Sequence, residues 1–380
     1  VTVEPGAPEV DDTAFCGQVA TLLWPRRPTP ADTTEFVVVP RAAQLRALLP
    51  RRPSRVAATA VAHRVAGQQG RARVRQQAIV LGARAGLIGV MGRERLRVGD
   101  TDSLRAYLSS LLGRPLAVAV HLGPPRANRK PVLQLLDPAG HTVAYAKVGI
   151  NGLTDGLVSH EAAVLAQLAD VALPGVRLPR LMHSGDWQGH ALLVLSPLPV
   201  WEAGAAQPPQ ARVHAAGVLA RVLGSHREPL ATSACATRLR AVAEPGDAAF
   251  LAALDTTLGS EAVLEFGSWH GDFRAGNCAL VDGALLVWDF ERFGPDMPVG
   301  ADLVHYAFSA RISGGEAPGA AAAAVLADAP QLLRGVVGPE VARLVAEVTL
   351  LSLAQRYEQD RQAAYGTAGS WLLPALGGPR

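Results

Sequence analysis

Between Ser268 and Gly294 the chain reads SWHGDFRAGNCALVDGALLVWDFERFG, which gathers His270, Asp272, Arg274, Asn277 and Asp289 between apolar runs. The sequence is 49% hydrophobic and only 18% charged, so such a cluster is the first place to look for chemistry. Asn277 follows Asp272 by five residues and Asp289 follows Asn277 by twelve, across a segment whose Asp282-Gly283 pair reads as a hairpin turn. The order H-x-D-x-x-x-x-N followed by D-F suits phosphoryl transfer. One carboxylate stands beside an incoming hydroxyl, while an amide oxygen and a second carboxylate offer the hard oxygen ligands that Mg²⁺ takes on nucleotide phosphates.

A second constellation lies upstream. Of 36 basic residues only Lys130 and Lys147 are lysines. In an arginine-dominated background a lysine marks a position that needs a compact ammonium instead of a planar fork. Lys147 ends the strand-like run TVAYAKVG, and Glu161 follows it by 14 residues on a helical pattern. In the kinase-like family that these residues resemble, that is the order of a strand lysine on the α/β-phosphates paired to a helix glutamate.

Taken together, HGDFRAGN, DFE, Lys147 and Glu161 resemble the protein-kinase-like superfamily, specifically its aminoglycoside-phosphotransferase and choline-kinase-like branch of small-molecule kinases. The resemblance spans roughly residues 116–365. It implies that Asp272 is the catalytic aspartate, that Asn277 and Asp289 hold Mg²⁺, and that His270 braces the catalytic loop. It also implies that ATP sets its adenine against a Leu193–Leu198 hinge that includes Leu195 and Ser196. Arg274, two residues after Asp272, stands where protein kinases carry a lysine near the γ-phosphoryl group. Asp302 in ADLVHY matches a position that braces the catalytic loop. DFE in place of DFG, and the short stretch from Glu291 to PDMPVGADLVHY, leave little room for an activation segment.

The chain departs from the family at the phosphate-covering loop. The first hairpin reads HLGPPRANRKPVLQL, with Gly123 as its one glycine. Side chains of Arg126, Asn128, Arg129 or Lys130 are expected to supply the contacts that backbone N–H groups usually make.

The expected fold is therefore α+β and kinase-like, with two lobes. Residues 116–200 form a β-rich lobe, residues 201–380 a mostly helical lobe with the catalytic and metal loops, and residues 1–115 an extra N-terminal α/β region of unassigned role. LAVAVHLG, PVLQLLD and TVAYAKVG read as an antiparallel meander, and a helix introduced at Thr154 carries Glu161. ALLVLSPLP reads as a buried strand. Further helices are expected over 211–223, 231–242, 247–258, 320–327 and 339–366, and CALVDG with ALLVWDF as a hairpin. In the N-terminal region residues 1–30 read as loosely ordered, EFVVVP and RLRVG as strands, 41–75 as short helical pieces, Ala78–Gly92 as strand and DSLRAYLSSLLG as a capped helix. The strands Phe36–Val39 and Ile79–Val90 are expected to cap the β-rich lobe.

Composition excludes several classes. Cys16, Cys235 and Cys278 are odd in number and without CxxC spacing, against a disulfide framework or a zinc site. No run of 18 apolar residues would span a bilayer, and the acidic start VTVEPGAPEVDD lacks the plan of a secretory signal, so the expected compartment is the cytoplasm. Residues 1–110 hold 16 arginines against 9 acids, but these are dispersed without aromatic interleaving, so a solvated face is expected instead of nucleic-acid binding. The expected activity is ATP-dependent transfer of phosphate to a hydroxyl of a sugar, amino sugar, amino alcohol or aminoglycoside-like acceptor. Glu291, Asp296 and Glu316 are candidate partners for an amine on it. The competing reading is a nucleotide-binding pseudokinase or regulatory protein.

Overall fold

The computed structural model describes residues 12–39, 46–64, 80–85, 94–203, 208–241, 248–360 and 365–377. The chain is α+β and divides into two compact units, Val1–Ala169 with Pro179–Ala205, and Asp170–Leu178 with Ala206–Arg380. The first is built on one large sheet; the second is mostly helical.

In the first unit eight strands pair antiparallel throughout, in the order β3-β1-β2-β4-β5-β6-β9-β8. The strands are β1 (Thr33–Val39), β2 (Ala47–Pro50), β3 (Arg95–Gly99), β4 (Ala117–His121), β5 (Val132–Leu136), β6 (Thr142–Val148), β8 (Leu181–Trp187) and β9 (His190–Leu195). Strands of the N-terminal region thus extend the same sheet as the meander, through β2 against β4. They do not lie over it as a separate cap.

Successive side chains of a strand point to opposite faces. Here both faces are covered: Phe36 and Val38 pack with Phe15, Val19 and Leu23 of helix α1 (Asp12–Leu23), while Val37 packs with Val56, Ala57 and Ala60 of α2 (Ser54–Arg64). A strand buried on both sides reads as an unbroken apolar run, which is why FVVV shows no alternation. The same ambiguity misleads at AIVLGARAG. Residues 80–84 are helical, with Ala83 buried and Val80 packed on the α2 side, so the expected strand is corrected there; 86–93 lie outside the described residues. Residues 12–23, expected to be loose, form α1, and 47–50 form a strand inside a stretch expected to be helical.

Helix α3 (Leu104–Leu111) is capped by Ser103, whose hydroxyl accepts from the Ala106 N–H. Helix α4 (Gly152–Gln167) begins with a reciprocal capping box: Asn151 accepts from the Thr154 N–H and the Thr154 hydroxyl accepts from the Asn151 N–H. The helix, expected to begin at Thr154, starts two residues earlier, with Asn151 as its cap and Thr154 at the third helical position.

The second unit holds helices α5 (Pro209–Arg221), α6 (Ala234–Ala241), α7 (Ala248–Leu258), α8 (Ala301–Ser313), α9 (Pro318–Leu332), α10 (Pro339–Gln359), α11 (Ala368–Trp371) and α12 (Leu373–Leu376). Two three-stranded sheets accompany them. One joins β10 (His226–Pro229), β11 (Val263–Trp269) and β14 (Gly294–Pro298); the other joins β12 (Cys278–Val281), β13 (Ala284–Val287) and β7 (Val176–Arg177). β12 and β13 form the expected hairpin, closed by Asp282 and Gly283 at φ 50° and 76°, the positive values a two-residue turn of this kind requires. No helix among the described residues is long and apolar enough to cross a membrane.

Candidate functional site

The loop after β11 is fixed before any side chain acts. Gly271 has φ +76°, and a Cβ there would run into the Arg292 backbone carbonyl, so glycine alone allows the chain to turn. Asp302, in the first turn of α8, accepts the backbone N–H of His270 at 2.8 Å and of Gly271 at 3.2 Å. From α10, the Arg356 guanidinium donates to the Gly271 carbonyl and lies 5.8 Å from the Trp269 ring centroid. Two helices therefore hold three consecutive residues, Trp269 to Gly271.

The buried His270 ring accepts the Asp272 N–H at Nδ1 (3.2 Å) and donates from Nε2 to the Trp288 carbonyl (3.1 Å). This pairing requires a neutral imidazole with its proton on Nε2. Phe290 meets the ring edge-on at 4.6 Å.

With its backbone fixed, the Asp272 carboxylate is divided between two environments. Oδ2 accepts from Arg274 Nε at 3.0 Å and from Asn277 Nδ2 at 2.8 Å. Oδ1 takes neither of these donors and faces His305 Nε2 at 3.8 Å. Burial pushes His305 well below its ordinary value, helped by the charges of Arg356 and Arg274, so the imidazole facing Oδ1 is neutral. Burial opposes the Arg274 charge, but Asp272 and Asp289 outweigh it and hold the guanidinium above its usual range.

Asn277 and Asp289 are brought together by the hairpin. Register pairs Cys278 with Val287, and the Trp288 N–H donates to the Asn277 carbonyl at 3.1 Å, so twelve residues of separation become adjacent strand ends. Asn277 spends its amide nitrogen on Asp272, which leaves Oδ1 as its acceptor. Asp289 has φ +74°, a left-handed conformation uncommon outside glycine, and such outliers concentrate at functional sites. Cys278 is a buried thiol pushed up to about 12 by desolvation, inert as a nucleophile.

In the first unit Lys147 lies on β6, flanked by β5 and β9, and its ammonium meets Glu161 Oε2 of α4 at 2.6 Å. Both are buried. The loop between β4 and β5 turns at Gly123 (φ +62°) and again where the Arg129 N–H donates to the Arg126 carbonyl. Its candidate residues separate: Arg126 is exposed, Asn128 half-buried, and Arg129 and Lys130 buried. Arg129 is corrected as a phosphate contact, because its guanidinium is engaged with Asp12 and the Leu122 carbonyl. At the expected hinge, Leu195 ends β9 as a buried residue. At Ser196 the N–H donates to the Arg180 carbonyl at 2.9 Å and the hydroxyl accepts the Arg180 N–H at 2.8 Å, so both groups are engaged with Arg180. Glu316 is exposed and bound to Arg311, Glu291 is buried, and Asp296 is half-buried.

His305 and Arg356 were missed from sequence. The available signal was a polar residue inside a buried helical run, ADLVHYAF and LLSLAQRY. Only the fold identifies what each one reaches.

No family model and no curated protein matches the sequence. Solved structures do. A thermostable mutant of the aminoglycoside phosphotransferase APH(4)-Ia is similar over 73% of this chain and 100% of its own, at 14% identity and TM-score 0.48. An aminoglycoside-3'-phosphotransferase of type VIII is similar over 63% and 97%, at 22% identity and TM-score 0.40. APH(3'')-Id from Streptomyces rimosus, solved with ADP and streptomycin, is similar over 58% and 90%, at 15% identity and TM-score 0.35. These three solved structures are phosphotransferases of small molecules.

Proposed function

We propose that the protein is an ATP-dependent phosphotransferase that moves the γ-phosphoryl group to a hydroxyl of a small molecule. The observation that carries this reading is the division of the Asp272 carboxylate: Oδ2 is tied down by Arg274 and Asn277, and Oδ1 faces a neutral imidazole. A carboxylate held this way has one oxygen for orientation and one for the proton of an acceptor hydroxyl. As the acceptor oxygen attacks the γ-phosphorus, its proton passes to Oδ1 and the bond from phosphorus to the β,γ-bridging oxygen breaks, so that ADP leaves. Arg274, kept charged by its carboxylate neighbours, meets the charge that develops on the transferred oxygens. Lys147, fixed by Glu161, serves the α/β-phosphates, and the exposed Arg126 adds a second cation to the phosphate-binding surface.

The donor set suits Mg²⁺, since Asn277 Oδ1 and the Asp289 carboxylate are hard oxygens on adjacent strand ends. Mg²⁺, when bound there, supplies neutralisation of phosphate charge. Most of the acceleration is then positioning and electrostatics. For the acceptor, Glu291 and Asp296 remain acids suited to an amine, in line with an amino sugar or aminoglycoside-like alcohol, and Glu316 does not.

The test is transfer of γ-labelled phosphate from Mg-ATP into pooled sugars, amino sugars, amino alcohols and aminoglycosides. Asp272→Asn and Asp289→Asn are each expected to lower transfer by a factor on the order of 10² or more. Equal transfer by Asp272→Asn overturns the assignment of the base. Nucleotide binding without transfer to any pool moves the protein to the regulatory reading.

A further inference from the structure

The N-terminal helix α1 meets the loop between β4 and β5 through Arg129. Arg129, in the middle of GPPRANRK, is only 3% exposed. Its guanidinium is held on three sides: Nε donates to the Leu122 carbonyl at 3.2 Å, NH1 pairs with Oδ1 of Asp12, and the plane lies 4.1 Å from the Phe15 ring centroid. Asp12 and Phe15 both belong to α1. The other oxygen of Asp12 takes Arg46 at 3.3 Å, just before β2.

The helix is tied down elsewhere as well. Gln18 donates to the Ile150 carbonyl, three residues past Lys147, at 3.3 Å, and Trp187 donates to the Leu22 carbonyl at 2.8 Å. Phe15, Val19 and Leu23 complete the apolar contact with the sheet.

A buried arginine is an expensive way to anchor a loop unless its charge is met, and here Asp12 meets it. The gain is geometric: a planar fork held by a carboxylate, a carbonyl and a ring has little freedom to rotate, which restrains the loop at Arg129. Pro124 and Pro125 restrict the chain before the turn, and the Arg129 N–H to Arg126 carbonyl bond closes it. Arg126 is left exposed at the tip.

We infer that Asp12 and Arg129 are positioning residues: the N-terminal helix locks the β4–β5 loop so that Arg126 is presented in a fixed place to the phosphates of the nucleotide. The lock does here what a series of glycine N–H groups does by backbone shape, and it gives the N-terminal region a role in nucleotide binding. The inference rests on the phosphotransferase reading, through the assignment of this loop to phosphate.

The experiment measures Kd for Mg-ATP by calorimetry on the full chain, with hydrogen exchange of residues 123–130. Asp12→Asn is expected to weaken Mg-ATP roughly tenfold and to speed exchange in the loop. Arg129→Lys keeps the charge and loses the fork; it is expected to act in the same direction and serves if Asp12→Asn fails to fold. Arg126→Ala should weaken binding in the wild-type background and have no further effect beside Asp12→Asn, a non-additivity that general loosening would not produce. Asp100→Asn, which breaks the Asp100–Arg105 pair of the same unit, should lower Tm without moving Kd.

Kd within twofold of wild type in folded Asp12→Asn and Arg129→Lys overturns the inference alone. Additive effects of Asp12→Asn and Arg126→Ala, or an equal rise with Asp100→Asn, also overturn it alone. A wild-type chain that binds no Mg-ATP overturns the nucleotide reading and the inference together.

Discussion

Asp302 ties a pH dependence to the loop that carries Asp272. Burial raises its carboxyl from 3.8 to about 7, against the pull of the two backbone N–H donors and Arg356, and Asp272 adds to the rise. Between pH about 4 and 7 the unfolded chain therefore gives up a proton that the folded chain keeps. The stability Asp302 contributes is complete below pH 4 and is lost as pH climbs through 7. Asp302→Asn does not titrate but can accept only one of the two backbone N–H groups, so it should be less stable than wild type below pH 4 and recover by up to about 4 kcal/mol relative to wild type across that window in urea unfolding. Glu265, held low by Arg221, works oppositely and loses its contribution on acidification, so the difference between wild type and variant is the quantity to follow. His305 makes a second demand. Its Nδ1 is buried without a hydrogen-bond partner, so His305→Leu should cost no more than about 1 kcal/mol by thermal unfolding. A loss above roughly 3 kcal/mol would mean that Nδ1 has a partner in solution. Asp272, Asn277 and Asp289 were legible at this scale because their spacing is local. His305, some thirty residues on, was not, since nothing in ADLVHY says which neighbour it meets.

At the scale of elements, function depends on two joints. One is the turn between β11 and the hairpin, where Gly271→Ala must move the Arg292 backbone as well as adopt a left-handed φ. Gly271→Ala should cost about 3 kcal/mol or more and abolish transfer even in the folded fraction, read by denaturant unfolding beside turnover. The other joint is β6 to α4 through Lys147 and Glu161. Lys147→Met leaves the fully buried Glu161 carboxylate uncompensated and should cost about 3–5 kcal/mol; Lys147→Met with Glu161→Leu should recover much of it without activity. Periodicity found the meander, α4 and the hairpin, where turn chemistry and apolar pattern agree. It failed at residues 80–84, where a short apolar run fits strand or helix equally, and it passed over β11 and α8 beside the loop that carries Asp272.

For the whole molecule, nucleotide should act as a stabiliser, because a ligand bound by the folded state alone adds RT ln(1 + [L]/Kd). At a hundredfold excess over Kd, Mg-ATP should add about 2.7 kcal/mol, seen as a rise in Tm. Asp289→Asn should lose the Mg²⁺-dependent part of that rise and keep the rest. The sequence alone determined the α+β class, the order of the chemical groups and the lysine, aspartate and asparagine set, because each depends on residue type and short-range spacing. Tertiary structure decided the rest. It joined β1 and β2 to the meander as one sheet, committed Ser196 to Arg180, and buried Arg129 against Asp12, 117 residues away. It also placed Asp302, His305 and Arg356 around the loop that carries Asp272. Contacts between distant parts of the chain leave no periodic trace, since their strength comes from burial and geometry that exist only once the chain has folded.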